Sequence, residues 1–568
     1  MDRRRFLGNV AAAAALPGLE SILAPFLGKG SDVLPFDRWQ PIPASDADEL
    51  LLPDGFRYDV LIKWGDRFTA SGEGFGYNND WIGVFELKDG EEALLAVNHE
   101  YVSLAQSGNA PLYPETFQVL RGRPPRVEDF KNDVGISVLR VRRDGKSGAW
   151  TAVVGDPLNR RVSARTPCLA DGPAAPLLGG TVEGTFANCG GQVTPWSTAL
   201  TCEENIQEVV SDLVDAKGHS ARGGLFDLPG AHYGWVVEVD PYDPGSTPVK
   251  HTAMGRLRHE NVGLWTEAGQ PVAAYMGDDR TGGHVWKFVS NGLYRPRDPD
   301  NRRLLSSGKL YVARFRPDGT GEWRLLDVGS ALDPNPDPSP KPLLPTCARS
   351  LGDCYASQGA LLMDAYQAAN AIGGTPSGRP EDLEVHPTDG SVFISFTSVS
   401  GLPGPWENVY GEVWRLQEDG DARAGSFTWT RYCVGGTSGS TRGGGVFAQP
   451  DNLLFDVRGD LWMCTDVSSA LINQREDYMV FRNGGVFRVP LACLDKGQPR
   501  QFASFPCEAE ATGPAWSKDA STLFLSVQHP GERFGTRQQG MPSPRGSNWP
   551  DKRLGAPPQP AVVGIRRS

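Results

Sequence analysis

Short apolar runs, each closed by a polar turn and answered by a second run, recur from residue 80 to the end of the chain. Residues 81–87 pass through Lys88-Asp89-Gly90 into 93–97, and 136–141 through Asp144-Gly145 into 150–154. Residues 310–315 lead through Pro317-Asp318-Gly319 into 323–326, and 413–416 through Asp419-Gly420 into 427–432. An Asp-Gly step between two apolar runs is a hairpin signal, because glycine accepts the dihedrals a tight turn demands. Residues 385–396, 454–463 and 515–527 repeat the form with other polar turns. Such imperfect meander repeats predict an all-β chain, a β-propeller more than a sandwich, with inserted loops and a few short helices. Insertions make the period irregular, and six blades are the favoured count. The 68 Gly, 46 Pro and 15 Trp agree with a turn-rich β protein. Helix patterns appear only at 46–52, 205–216 and 359–371, and the Pro-rich stretch 333–340 reads as a surface loop. No linker divides residues 31–568, which are therefore expected to form one propeller domain.

A propeller brings loops from every blade to one end of a central channel, so residues distant in sequence can meet there. Acidic motifs stand at the edges of the expected strands: Asn98-His99-Glu100-Tyr101, Thr201-Cys202-Glu203-Glu204-Asn205, His259-Glu260-Asn261, Gly277-Asp278-Asp279-Arg280, Arg379-Pro380-Glu381-Asp382 and Gln449-Pro450-Asp451-Asn452. Gln528-His529-Pro530-Gly531 closes the series. One such motif alone is a turn cap. Together around one channel they would repel one another unless cations neutralised them, and oxygen donors suit hard cations such as Ca²⁺.

Cys189 lies in Asn188-Cys189-Gly190-Gly191, where two glycines allow a sharp backbone turn and an accessible thiol. In isolation it reads as a buried small side chain or as a ligand. No local Cys/His signature marks it as a nucleophile. Beside carboxylates, a thiolate favours a transition metal such as iron over calcium. The chain has nine cysteines and no CxxC pair, which argues against a zinc ribbon. Cys347 and Cys354 are close enough in sequence to bridge a loop, and Cys202 reads as buried packing.

At the N-terminus, Arg3-Arg4-Arg5-Phe6-Leu7 precedes a weakly apolar stretch too short to span a bilayer, then Pro17 and Gly18. Residues 1–30 resemble a twin-arginine export signal, apart from Asp2. No later segment is apolar enough for stable membrane insertion. The net charge of −12 argues against nucleic acid as a partner, since a phosphate backbone needs a basic footprint.

Asn188-Cys189-Gly-Gly-x-x-Thr194-Pro195-Trp196, followed by Leu200-Thr201-Cys202-Glu203-Glu204-Asn205, resembles the signature of PhoX-type alkaline phosphatases. Trp235 to Pro241, Gly255-Arg256 with His259-Glu260, Gly277-Asp278-Asp279, Arg379-Pro380-Glu381-Asp382, Pro450-Asp451-Asn452 and Gln528-His529-Pro530-Gly531 resemble the family's later motifs, in the same order. The resemblance implies a six-bladed propeller with an oxo-bridged cluster of ferric iron and calcium that hydrolyses phosphate monoesters and releases inorganic phosphate. It implies Cys189, Glu260, Asp279, Glu381 and Asp451 as metal ligands, Glu204 on the calcium side, and Arg379 as the clamp on substrate phosphate. Asp278, Asp382 and Glu100 follow by adjacency within the motifs. Cys507 departs from the family pattern and leaves Glu510 doubtful as a site residue. The implied partners are small phosphate esters and the twin-arginine translocation machinery. The implied location is periplasmic or extracellular, with the protein acting as a monomer. Two other readings remain open: a calcium-dependent propeller lactonase or organophosphate esterase, and a non-enzymatic propeller stapled by calcium.

Overall fold

The computed structural model describes residues 35–88, 90–101, 127–224, 226–334, 348–398, 407–437, 446–491 and 497–568. The segment that resembles a twin-arginine signal, most of the Pro-rich stretch 333–340 and Cys347 lie outside them.

Six antiparallel meanders surround a central axis; the third and fourth are joined by the pairing of Thr320–Leu325 with Ser426–Val434, and the second is extended by a parallel pairing of Val249–His251 with Pro167–Asp171. Their innermost strands are, in chain order, Asn79–Lys88, Asn188–Val193, His259–Trp265, Pro380–Val385, Pro450–Phe455 and Glu510–Trp516. Each inner strand packs beside the next, and the last returns to the first. The fold is the expected six-bladed β-propeller. All seven strand–turn–strand units read from the sequence form paired strands.

Closure of the ring couples the two ends of the domain. Phe56–Lys63 pairs antiparallel with Ala561–Arg567, from Phe56 opposite Arg567 to Lys63 opposite Ala561. The sixth blade thus takes its outermost strand from the N-terminal part and leaves no open seam between first and last blades. Between blades lie apolar layers. Trp462, Phe502, Leu525 and Val563 fill the space between the fifth and sixth, and Tyr275, Trp323, Ile394 and Trp414 that between the third and fourth. Each fully buried aromatic contributes roughly 1.5–3 kcal/mol against its exposed state. Adjacent blades are thereby fixed to each other, and so are the inner-strand ends that meet at the channel.

Two of the three helix patterns are corrected. Residues 359–371 hold Gln358–Met363 and Ala365–Ala371, which pack on the core between the second and third blades. Residues 46–52 make turns instead, and Leu51 bridges Ser504. There Asp48 accepts hydrogen bonds from the Ser547 hydroxyl and the Asn548 N–H, tying the entering chain to the sixth blade. Of 205–216, only Ile206–Glu208 is a 3-10 turn. The Asn205 amide is drawn to Glu100 and Glu204 and does not cap a helix, while Leu213 is 76% exposed.

Among the described residues no helix is long and apolar enough to cross a membrane. Seven described cysteines are free thiols, Cys354 among them, and Cys202 is fully buried in an apolar cluster, as expected.

Candidate metal centre

The site is built by repetition. In the first five blades the opening residue of the inner strand pairs across to the second strand, and the register then slips: after Asn79, Asn188, His259, Pro380 and Pro450. Such a bulge re-aims the extra residue's side chain. The residue just after each pair is Asp80, Cys189, Glu260, Glu381 and Asp451. In the sixth blade the slip comes after Thr512, and Gly513 stands in that position.

A second tier comes from the residue just beyond the paired end of each second strand. Glu100, Glu204, Asp279, Thr397 and Asp466 each donate a backbone N–H to the residue preceding the inner strand, at Asn78, Ala187, Arg258, Arg379 and Gln449 respectively. Four of those acceptors hold positive φ without being glycine: Asn78 at 42°, Ala187 at 57°, Arg379 at 49° and Gln449 at 50°. Such backbone costs about 1–3 kcal/mol each and persists where the surroundings over-determine it.

These two tiers bring three linked sets of ligand-type atoms within 4.8 Å of one another: Asp80–Glu100–Cys189, Cys189–Glu204–Glu260 and Glu260–Asp279–Glu381. A further set, Asp451–Asp466–Glu510, completes the ring. Cys189 is only 6% exposed, so the accessible thiol expected from its glycines is corrected. Its Sγ lies 3.1 Å from Asp80 Oδ2 and 3.2 Å from both Glu260 oxygens. The Asn98 amide holds the Cys189 carbonyl at 2.6 Å and that of Gly190 at 2.9 Å, which fixes the strand end. Asn205 Nδ2 bridges Glu100 and Glu204 at 2.9 and 2.7 Å.

Arg379 faces the ring from the fourth blade, with 31% of its side chain exposed. Its Nε and Nη2 donate to the two Asp279 oxygens at 2.8 and 2.6 Å, and Nη2 lies 3.0 Å from Glu381 Oε1.

Of the acids expected by adjacency, Glu100 joins the ring, but Asp278 and Asp382 stand outside these sets. One Asp278 oxygen is held by the Arg258 N–H and by Arg280. Asp382 accepts from the Asn261 amide and the Leu453 N–H. The residue following each ring position, namely Trp81, Gly190, Asn261, Asp382, Asn452 and Pro514, instead lines a channel cavity of about 270 Å³. Three ring acids escaped the sequence reading: Asp80 and Asp466 were not singled out, and Glu510 stood in doubt. Aligning the blades on the inner-strand start would have found Asp80, and aligning them on the paired end of the second strand Asp466.

The electrostatics match a cation site. Burial, then the neighbouring charges, push the Glu204, Glu260 and Glu510 carboxyls and the Cys189 thiol well above their ordinary ranges. Burial would raise Asp279 as well, but the Arg379 guanidinium holds it below the usual value. Carboxylates and one thiolate, buried at this density, fit bound cations and repel one another without them.

Stripped protein should therefore lose stability as pH rises. Burial and the Asp80 charge push Glu100 from 4.5 up to about 8, and burial pushes Asp382 from 3.8 to about 7. A carboxyl with a raised folded pKa binds more protons folded than unfolded. Its contribution is complete below the unfolded value, near pH 4, and is lost as pH climbs through about 7 to 8. Chelated protein should melt at a lower temperature near pH 9 than near pH 5, and restored metal should remove most of that difference. Equal melting of stripped protein at both would contradict this electrostatic account.

Comparison with known proteins agrees with the geometry. The sequence profile described as alkaline phosphatase PhoX matches residues 37–531. The solved structure of Pseudomonas fluorescens PhoX in complex with vanadate, a transition-state analogue, is 31% identical, with a TM-score of 0.77 over 93% of this chain and 98% of that one. A gluconolactonase from Xanthomonas campestris is 10% identical over 87% of this chain and 97% of that one, with a TM-score of 0.28 that bears on neither fold nor function. No curated protein sequence matches the chain. A metal-dependent phosphatase is what the ring, the arginine and the two PhoX matches have in common, and the chain belongs to the alkaline phosphatase PhoX family.

Proposed function

We propose that the ring holds a cluster of calcium and ferric ions and that phosphate monoesters are hydrolysed at its Arg379 side. The observation that carries this is the delivery of one ligand-type side chain by each of five successive inner strands to one channel end, with a guanidinium beside them. Asp80, Glu100, Cys189, Glu204, Glu260, Asp279 and Glu381 would be the principal ligands, and Asp451, Asp466 and Glu510 a neighbouring set. The oxygens suit calcium, and the single thiolate suits iron. Bound there, the cations would neutralise the phosphoryl oxygens and acidify an oxygen nucleophile.

The chain's own part is recognition. Arg379 is a planar fork whose charge burial does not remove, because Asp279 and Glu381 hold its pKa well above the ordinary value. The fork can hold two phosphate oxygens at once. The P. fluorescens relative is in complex with vanadate, a transition-state analogue, which supports a phosphoryl group as this chain's ligand. Export on the signal resembling a twin-arginine leader, with residues 31–568 as one catalytic propeller, completes the proposal.

Arg379→Lys tests the clamp, since it keeps the charge and loses the fork. Losing one charge-assisted hydrogen bond costs about 1.5–3 kcal/mol, so kcat/KM for p-nitrophenyl phosphate should fall roughly tenfold to hundredfold, mainly through KM. An unchanged kcat/KM at full metal content would exclude Arg379 from phosphate binding.

A further inference from the structure

The sixth blade breaks the repeat, and the break has a use. At the ring position it carries Gly513, not an acid. Gly513 has φ +58°, and a Cβ there would lie 2.3 Å from the Asp80 carbonyl oxygen. Glycine therefore lets the sixth blade approach the first more closely than a side chain would permit. What the sixth blade brings into that gap is a set of hydrogen-bond donors.

The Thr512 hydroxyl lies against both Asp80 Oδ1 and Asn452 Oδ1. A hydroxyl has one proton to give. The Gly513 N–H donates to Asn452 Oδ1 at 2.9 Å, and the Asp80 carboxylate is the stronger acceptor, so the Thr512 proton goes to Asp80. Asn452 in turn points its amide at Asp451 Oδ1, 3.3 Å away. On the second strand of the same blade, Gln528 Nε2 donates to Glu100 Oε2 at 2.9 Å and lies 3.4 Å from Asp80 Oδ2. Ser526 Oγ holds the Asp80 carbonyl at 2.6 Å. Thr512, Ser526 and Gln528 are all fully buried. The blade without an acid at its ring position thus orients Asp80 and Glu100 in the first blade directly, and in the fifth blade holds Asn452, whose amide faces Asp451. A vacancy in the second tier behaves alike: Thr397 stands where four blades have an acid, and its hydroxyl donates to Glu381 Oε1.

We propose that Thr512 and Gln528 are positioning residues that set the orientation of the Asp80 and Glu100 carboxylates toward the bound cations. This rests on the metal reading of the ring. Partners that orient a ligand typically carry about 10- to 100-fold of metal affinity.

The measurement is calcium and iron per chain, by mass spectrometry, after equilibration with graded chelator. Thr512→Val keeps the shape and removes the hydroxyl, and should release metal at a roughly 10- to 100-fold lower chelator concentration than wild type. Thr512→Ser should restore wild-type retention, which a packing role for the methyl group would not. Gln528→Met should shift release in the same direction and decides the matter if Thr512→Val fails to fold. Glu260→Gln is the reference. If it too retains metal as wild type does, the metal reading itself falls. If it loses metal while folded Thr512→Val and Gln528→Met both retain it normally, only the positioning role is overturned.

Discussion

Cys189→Ser should strip iron from the protein and collapse phosphatase turnover while the propeller stays folded. The substitution is small, and the site is already packed: the thiol lies 3.1–3.2 Å from the Asp80 and Glu260 carboxylates. As a packing change alone it would cost roughly 1–2 kcal/mol and leave turnover intact. As a ligand change it replaces a soft thiolate with a hard hydroxyl that does not ionise near neutrality. Cys189 belongs to two of the linked ligand sets, so its loss loosens both. Any visible absorbance from thiolate-bound iron should disappear with it. Cys202→Ser is the control, because Cys202 sits in the apolar layer with Val236, Leu257 and Val262 and should keep its iron. Iron per chain, turnover and circular dichroism on both variants decide the point. A folded Cys189→Ser protein with full iron and normal turnover would take Cys189 out of the site.

The strands were legible because their signals are local. An Asp-Gly turn between apolar runs forms a hairpin wherever it lies, and the meanders at 81–97 and 413–432 needed no tertiary information. Helix patterns at 46–52 and 205–216 failed for the opposite reason. Asp48 and Asn205 have side chains that distant partners claim, Ser547 and Asn548 for the first and Glu100 for the second. Tertiary bonds of that kind override a weak local preference.

The site was partly legible. Glu260, Glu381 and Asp451 stand where the motifs suggested, each just past the start of an inner strand. Choosing between neighbouring acids required the strand register: the bulge for Glu381, and the paired end of the second strand for Glu204 and Asp279. Glu204 reaches the ring, while Glu203 turns to a fully buried ion pair with Lys250 at 2.6 Å. Asp279 reaches it while Asp278 pairs with Arg280, and Glu381 reaches it while Asp382 lines the channel. Asp80 was missed because Asn78-Asn79-Asp80 resembles a loop, and nothing local announces its role. Its place follows only once the blades are superposed, and the insertions between them hide that period in the sequence. Glu510 was obscured differently. The sixth blade's inner strand runs longer before its bulge, so this acid stands ahead of the repeat position, which Gly513 takes.

The largest effect should come from emptying the ring altogether. Ten ligand-type residues converge there, and the described site has one guanidinium, Arg379, bonded directly to them. Without cations the carboxyls take up protons, and phosphate loses the charge that would draw it in. Fully stripped protein should hydrolyse p-nitrophenyl phosphate at the background rate and melt at a lower temperature than the metal-replete form. Calcium and iron together should restore turnover, whereas calcium alone should refill the oxygen sites without restoring the thiolate site. The decisive measurement is phosphate release by one preparation before stripping, after stripping and after reloading, with metal per chain counted at each stage. Activity that falls and returns with the metal count is the predicted result. Undiminished phosphate release from protein shown to be free of metal would contradict the account.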